Sequence, residues 1–238
     1  MTAASAARPL ALVTGATSGI GAAIAEELAS THDLVVVGRN EPALAAWASR
    51  DGVTALRLDL SDPEGFAVAI APLGIERLDV LVHAAAIATG RAVGSASVQD
   101  WREHLVVDLI APAELTRLLL PAVTAAQGDI VFIGSGAGTR PVPGSAVYAA
   151  AKHGLRGLAD SLRIEVEPDR VRVVTVAPGQ TDTPLLRSGV EASGGTPEPE
   201  RYIRPESVAR AVRFVVDQGP DTQITDVAVR PRQELVRL

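Results

Sequence analysis

The chain has no cysteine, a single lysine and few aromatic residues. The missing cysteine excludes a disulfide framework, a thiolate zinc site and a cysteine nucleophile at once, and it leaves the compartment open. No window approaches the roughly 18 apolar residues of a membrane span, and residues 1–9 lack the basic start and apolar stretch of a secretory leader. The cytoplasm is therefore expected, with no membrane partner. Aromatics make up 3% of the chain, net charge is −6 and the arginines are scattered, so neither a base-stacking platform nor a phosphate-tracking stripe is present. Nucleic acid is not expected as a partner, and no histidine stands at metal-ligand spacing from another ligand type.

What the chain does have is apolar bulk: 238 residues, 47% of them hydrophobic, enough to bury one large core. One domain over 1–238 is expected. Short runs rich in Val, Leu and Ile alternate with longer amphipathic or alanine-rich segments, which is the pattern of βαβ units. Strands are predicted at 10–14, 34–38, 54–58, 78–83, 129–134, 171–176 and 224–229, and helices at 20–30, 42–50, 63–72, 98–126, 146–167 and 205–218. Right-handed crossovers place helices on both faces of a seven-stranded parallel sheet, an α/β fold of the doubly wound, Rossmann type. The stretch 188–200 reads SGVEASGGTPEPE, and its Gly, Ser and Pro content predicts a mobile substrate loop within about 183–203, without regular structure.

Directly after the first strand comes Thr14-Gly15-Ala16-Thr17-Ser18-Gly19-Ile20-Gly21, then a helix. Gly15 permits a sharp bend, Gly19 lets a pyrophosphate approach the backbone, and Gly21 lets helix and strand pack closely. The helix then turns its unpaired N–H groups toward the phosphates. Past the second strand the chain reads Gly38-Arg39-Asn40, with no acid before Glu41 to grip ribose hydroxyls. Arg39 suits a 2′-phosphate, so NADP(H) is favoured and NAD(H) is left open.

The only lysine, Lys152, stands four places after one of only two tyrosines, Tyr148, and chance produces such a pair about once in 120 placements. On a helix this spacing projects both side chains from one face. An ammonium beside a phenol favours the phenolate; bringing a phenol from about 10 to about 7 takes about 4 kcal/mol of charge stabilisation. Such a tyrosine can act as acid when a ketone is reduced or as base when an alcohol is oxidised. Ser135 ends the 129–134 strand, on the sheet edge where ligands bind, and its hydroxyl can reach a substrate oxygen.

These ordered motifs resemble the short-chain dehydrogenase/reductase family over nearly the whole chain. The resemblance implies an NADP(H)-dependent oxidoreductase that interconverts a carbonyl and a secondary alcohol, with Ser135, Tyr148 and Lys152 at its centre. It implies cofactor contacts at Thr17, Ser18 and Ile20 beside the three glycines, at Asp59 and Leu60 near the adenine, and at Ala84, Ala85 and Ala86 after the fourth strand. It further implies Pro178, Gly179, Gln180, Thr181 and Thr183 around the nicotinamide and phosphates, with Tyr148 and Lys152 by the nicotinamide ribose.

Two departures stand out. Where relatives have Asn-Asn-Ala-Gly, this chain has His83-Ala84-Ala85-Ala86, and Ala86 is strained if that backbone needs positive φ. His83 reads as a structural histidine, and His32, His104 and His153 as surface residues. The second departure is Asp108, at a position where relatives carry an asparagine whose backbone carbonyl holds a relay water; that carbonyl survives the change, and Asp108 joins the catalytic set on this ground.

The substrate wall is expected at Gly136, Ala137, Val142 and Pro143, suiting a neutral, partly apolar carbonyl compound or alcohol, with Arg140 and Arg187 able to recruit an anion. The long helices predict a homodimer or homotetramer. A rival reading, a non-catalytic NADP-binding sensor or scaffold, is motivated by the altered 83–86 segment and Asp108. Another, the nucleotide-sugar epimerase branch, has a different glycine spacing and a longer carboxy-terminal part.

Overall fold

A computed structural model describes residues 8–233, so the segment on which the expectation of no leader rests lies mostly outside the described residues. Seven strands, β1 (Leu10–Thr14), β2 (Asp33–Gly38), β3 (Val53–Arg57), β4 (Val80–His83), β5 (Asp129–Ile133), β6 (Arg172–Pro178) and β7 (Asp226–Val229), form one parallel sheet in the order β3-β2-β1-β4-β5-β6-β7. The helices are α1 (Gly19–Ala29), α2 (Glu41–Ala48), α3 (Phe66–Ile70), α4 (Val98–Leu105), α5 (Ala111–Ala126), α6 (Ala146–Glu165), α7 (Pro184–Ala192) and α8 (Pro205–Val216). The expected α/β architecture is observed.

Central parallel strands are covered on both faces, so their sequences are continuously apolar. Neighbouring residues serve opposite faces: Val13 and Val36 pack with Ile24 and Leu28 of α1 and Val212 of α8, whereas Leu12 and Val35 pack with Phe66, Leu115 of α5 and Leu155 of α6. Each such fully buried side chain contributes about 1.5–3 kcal/mol. The strand order reverses between β1 and β4, and a doubly wound sheet opens a crevice at such a switch point, beyond the carboxyl ends of the strands.

Three predicted elements differ. The helix expected over 98–126 is interrupted by a π-turn at Val106–Ile110, where the Ala111 N–H donates to the Val106 carbonyl. Pro112 explains it: proline has no N–H for the carbonyl four residues earlier, that of Asp108, and its ring crowds that carbonyl. The helix expected over 63–72 is cut by Pro63 and Pro72 into a short α-helix between two 3-10 turns. The segment from 188 is not irregular throughout, because α7 runs to Ala192. Pro184 starts it, the Thr183 hydroxyl accepts from the Leu186 N–H at 3.1 Å, and the chain leaves the helix at Gly194 with φ +80°. Start and stop signals here outweigh composition. Among the described residues no helix is long and apolar enough to cross a membrane.

Candidate active site

Gly15 has φ +69°, and a Cβ there would stand 2.8 Å from the Ala85 Cα, so the turn after β1 is both left-handed and pressed against the loop after β4. Thr14 holds the two loops together. Its hydroxyl donates to the Val82 carbonyl and accepts from the Ala84 and Ala85 N–H groups at 3.1 and 3.2 Å, using its full bonding capacity. Gly19 has φ +54°, and its Cα faces the Thr183 methyl. α1 begins without a side-chain cap from Ser18 and without an acid in its first turn, which leaves its N–H groups and dipole suited to an anion. These features fit a dinucleotide pyrophosphate. Ala86 carries no strain, because Gln127 and Arg170 alone among the described non-glycine residues have positive φ.

Arg39 and Asp59 face each other at 3.6 Å on the rim beside Leu60. Two hydrogen bonds from Ser61 hold the Asp59 carboxyl below its ordinary range, with Arg39 adding to the effect. Both side chains are more than half exposed, so their mutual attraction is weak and Arg39 can turn to another anion.

At the other end of the crevice stand the three expected side chains. Ser135 follows β5, and its hydroxyl accepts from the Ala137 N–H at 3.1 Å, capping a 3-10 turn. Tyr148 lies in the first turn of α6 and Lys152 one turn on, with the ammonium 5.7 Å from the phenol ring centre. Lys152 is 3% exposed; its Nζ donates to the Ile133 carbonyl at 3.4 Å and lies 4.0 Å from the Asp108 carboxylate.

Asp108 does more than offer a backbone carbonyl. Pro112 deprives that carbonyl of its helical donor, and the side chain, fully buried, accepts from the Ile87 N–H at 3.0 Å. Burial pushes its carboxyl up, while Lys152 and the Ile87 N–H pull the other way. One helical turn earlier, His104 is 1% exposed: Nδ1 donates to the Asp100 carbonyl at 2.9 Å, and Nε2 meets the Thr89 hydroxyl at 3.3 Å. Asp108 and His104 therefore stitch the loop after β4 to the helix behind it.

His104 and His32, the latter 8% exposed, are buried and not surface residues; only His153 is exposed. Lone histidines gave no sign of this because the covering groups lie elsewhere in the chain. His83 is also buried, hydrogen-bonded to the Thr116 hydroxyl at 2.8 Å and stacked on Phe132. Burial lowers it to about 3, so the ring is neutral at ordinary pH and does not line the cavity.

A cavity of about 960 Å³, within the range of ligand sites, joins the two ends. It is lined by Gly15, Thr17, Ser18, Gly19, Ile20 and Gly21, by Ala84 to Ala86, and by Ser135, Tyr148 and Lys152. Pro178, Gly179, Gln180, Thr181 and Thr183 close it from the β6 side, and Gly136, Ala137, Val142 and Pro143 also reach it. Arg140 lines the cavity, whereas Arg187 does not: its guanidinium forks onto Asp182 with both contacts at 2.7 Å. Asp108 stands behind Lys152, outside the lining. Sequence reasoning missed Ile87, Leu185 and Arg230, which also line it. Arg230 follows β7 at the carboxyl edge of the sheet, and that position was the available signal.

A parallel sheet with a left-handed glycine turn at its switch point, opening into one cavity with a tyrosine–lysine pair, defines a dinucleotide-binding oxidoreductase class. The chain belongs to the short chain dehydrogenase family, whose model matches residues 9–193. It is 37% identical over 226 residues to a cis-4-hydroxycyclohexanecarboxylate dehydrogenase of Sinomonas cyclohexanicum, covering 90% of this chain and 91% of that one. It is 30% identical over 234 residues to an NADP-dependent 3-hydroxy acid dehydrogenase of Salmonella typhi, covering 93% and 94%. Among solved structures it is similar to the closed form of a serine dehydrogenase complexed with NADP+, with a TM-score of 0.86, 28% identity and coverage of 96% and 98%.

Proposed function

We propose that this protein interconverts a carbonyl compound and a secondary alcohol with NADP(H), with Tyr148 as general acid and base. The observation that carries the reading is the meeting of Ser135, Tyr148 and Lys152 at one end of a cavity whose other end is a glycine turn before an uncapped helix. The NADP-dependent relative and the NADP+ complex support the choice of cofactor, as does Arg39 on the rim. Bound nicotinamide supplies or accepts the hydride.

The protein's own residues handle the oxygen and its proton. The Ser135 hydroxyl donates to the substrate oxygen and holds it beside Tyr148. In reduction, the carbonyl carbon gains the hydride and the Tyr148 O–H gives its proton to that oxygen; in oxidation, the tyrosinate takes the proton back. Burial of the Lys152 ammonium between the Ile133 carbonyl and Asp108 fixes its place one helical turn from Tyr148.

The test is a panel of ketones and secondary alcohols with NADPH and NADP+. Turnover is expected and should fall about 10²–10⁴-fold in Tyr148→Phe, with NADPH binding by fluorescence retained. Binding of NADPH without turnover of any panel member, or full activity in Tyr148→Phe, refutes the assignment.

A further inference from the structure

Ala16, inside the glycine turn, is fully buried and does not line the cavity, and both of its backbone polar groups are bound from outside the turn. Its N–H donates to the Val37 carbonyl of β2 at 3.1 Å. Its carbonyl accepts from the Trp47 indole N–H of α2, also at 3.1 Å and across 31 positions of sequence. No backbone N–H among the described residues reaches that carbonyl. Within the turn itself the Ser18 N–H meets the Gly15 carbonyl only at 3.5 Å, a weak contact. The turn is thus shaped from outside, by the second strand and the helix that follows it.

Trp47 is itself clamped. It is 9% exposed and shares its core cluster with Leu44 of the same helix. The Arg50 guanidinium lies 4.4 Å from its ring centre and forks onto Glu26 of α1 at 2.6 and 3.1 Å. The indole therefore ties together the turn, α1 through Arg50 and Glu26, and α2, whose Asn40 cap stands beside Arg39. An indole N–H is a donor without a charge, so it can be buried against a carbonyl with no ion to desolvate.

We infer that Trp47 is a positioning residue for the dinucleotide: its N–H holds the Ala16 carbonyl, and with it the turn, in the arrangement that receives the pyrophosphate. Without that donor a buried carbonyl stands unpaired, which is costly, and the turn relieves the cost by opening toward water. The cofactor binds the closed arrangement alone, so its apparent affinity falls by the fraction of molecules that remain closed. With about one-tenth closed, NADPH binds about tenfold more weakly, while nothing changes at Ser135, Tyr148 or Lys152. The inference rests on the NADP(H) reading and adds to it a residue that stands outside the cavity.

The experiment uses the full chain. The Kd for NADPH is measured by isothermal titration calorimetry, and amide hydrogen exchange over 14–21 is followed without cofactor. Trp47→Phe removes the donor. The benzothienyl analogue of tryptophan at position 47, in a Trp101→Phe background, exchanges the N–H for sulfur and keeps the ring, so it serves where Trp47→Phe packs badly. Leu44→Ala loosens the same helix and leaves the indole bond in place. Both proteins without the donor are expected to bind NADPH about tenfold more weakly and to exchange faster over 14–21, with kcat for a panel ketone at saturating NADPH retained. Leu44→Ala and Trp101→Phe alone should match the unmodified protein in all three. An unchanged Kd and exchange rate in the benzothienyl protein, or an equal rise in Leu44→Ala, overturns the inference while the cofactor reading stands. If the unmodified chain binds no NADPH, the cofactor reading fails and the inference falls with it.

Discussion

Replacing Lys152 by methionine separates its structural part from its chemical one. The lysine is 3% exposed and lies 4.0 Å from a carboxylate that is wholly buried. At an effective dielectric constant of about 20, two unit charges at that distance interact by about 4 kcal/mol. Methionine keeps most of the apolar stem but leaves Asp108 without its cation, and breaking a buried pair in this way costs about 3–5 kcal/mol. The cost depends on pH. Burial already places the Asp108 carboxyl above its unfolded value, and loss of Lys152 raises it further. A group with a raised folded value adds stability at low pH and loses it as pH rises, so the variant should be weakest at pH 8 and approach the unmodified protein toward pH 5. Urea unfolding followed by circular dichroism at both pH values measures this. In the double variant Lys152→Met with Asp108→Asn the uncompensated charge is gone, and the introduced amide keeps an oxygen for the Ile87 N–H. Most of the stability should return, without turnover. A single variant as stable as the unmodified protein at pH 8, or a double variant no more stable than the single one, would falsify the ion-pair account.

Two further expectations can be checked directly. Arg39→Leu should raise the KM for NADPH about 10–100-fold while changing that for NADH much less, as loss of a charge-assisted bond of about 1.5–3 kcal/mol requires; equal effects on both cofactors would remove Arg39 from phosphate recognition. Because burial lowers His83 to about 3, its contribution is complete above pH 6.5 and is lost as pH falls, by about 5 kcal/mol in all. Asp129, raised to about 6 by burial, acts in the opposite sense, stabilising most at low pH. The difference between the unmodified protein and His83→Gln isolates the histidine, and parallel stability curves from pH 7 to pH 4 would contradict this account.

Much of the candidate site is legible in the sequence because its signals are local. A glycine turn between a strand and a helix, and a tyrosine four residues before a lysine, depend on backbone geometry over one or two turns. Strand positions were legible for the same reason: a parallel strand covered on both faces is a short, continuous apolar run. Even the π-turn has a local cause, Pro112 acting on the Asp108 carbonyl, although the 3.6-residue period hid it within one long helix.

What the amino-acid order alone determined is therefore the sheet, the glycine turn after β1 and the positions of Ser135, Tyr148 and Lys152 that the cavity brings together. Tertiary structure decided the rest. The Asp108 side chain reaches an N–H 21 residues away, and Arg230 enters a gap left by Gly136 after β5 and Gly179 after β6. His83 became neutral because Phe132 and Thr116 close over it. Charge state, burial and pairing depend on which distant residues exclude water from a group, and no periodicity within a segment encodes that.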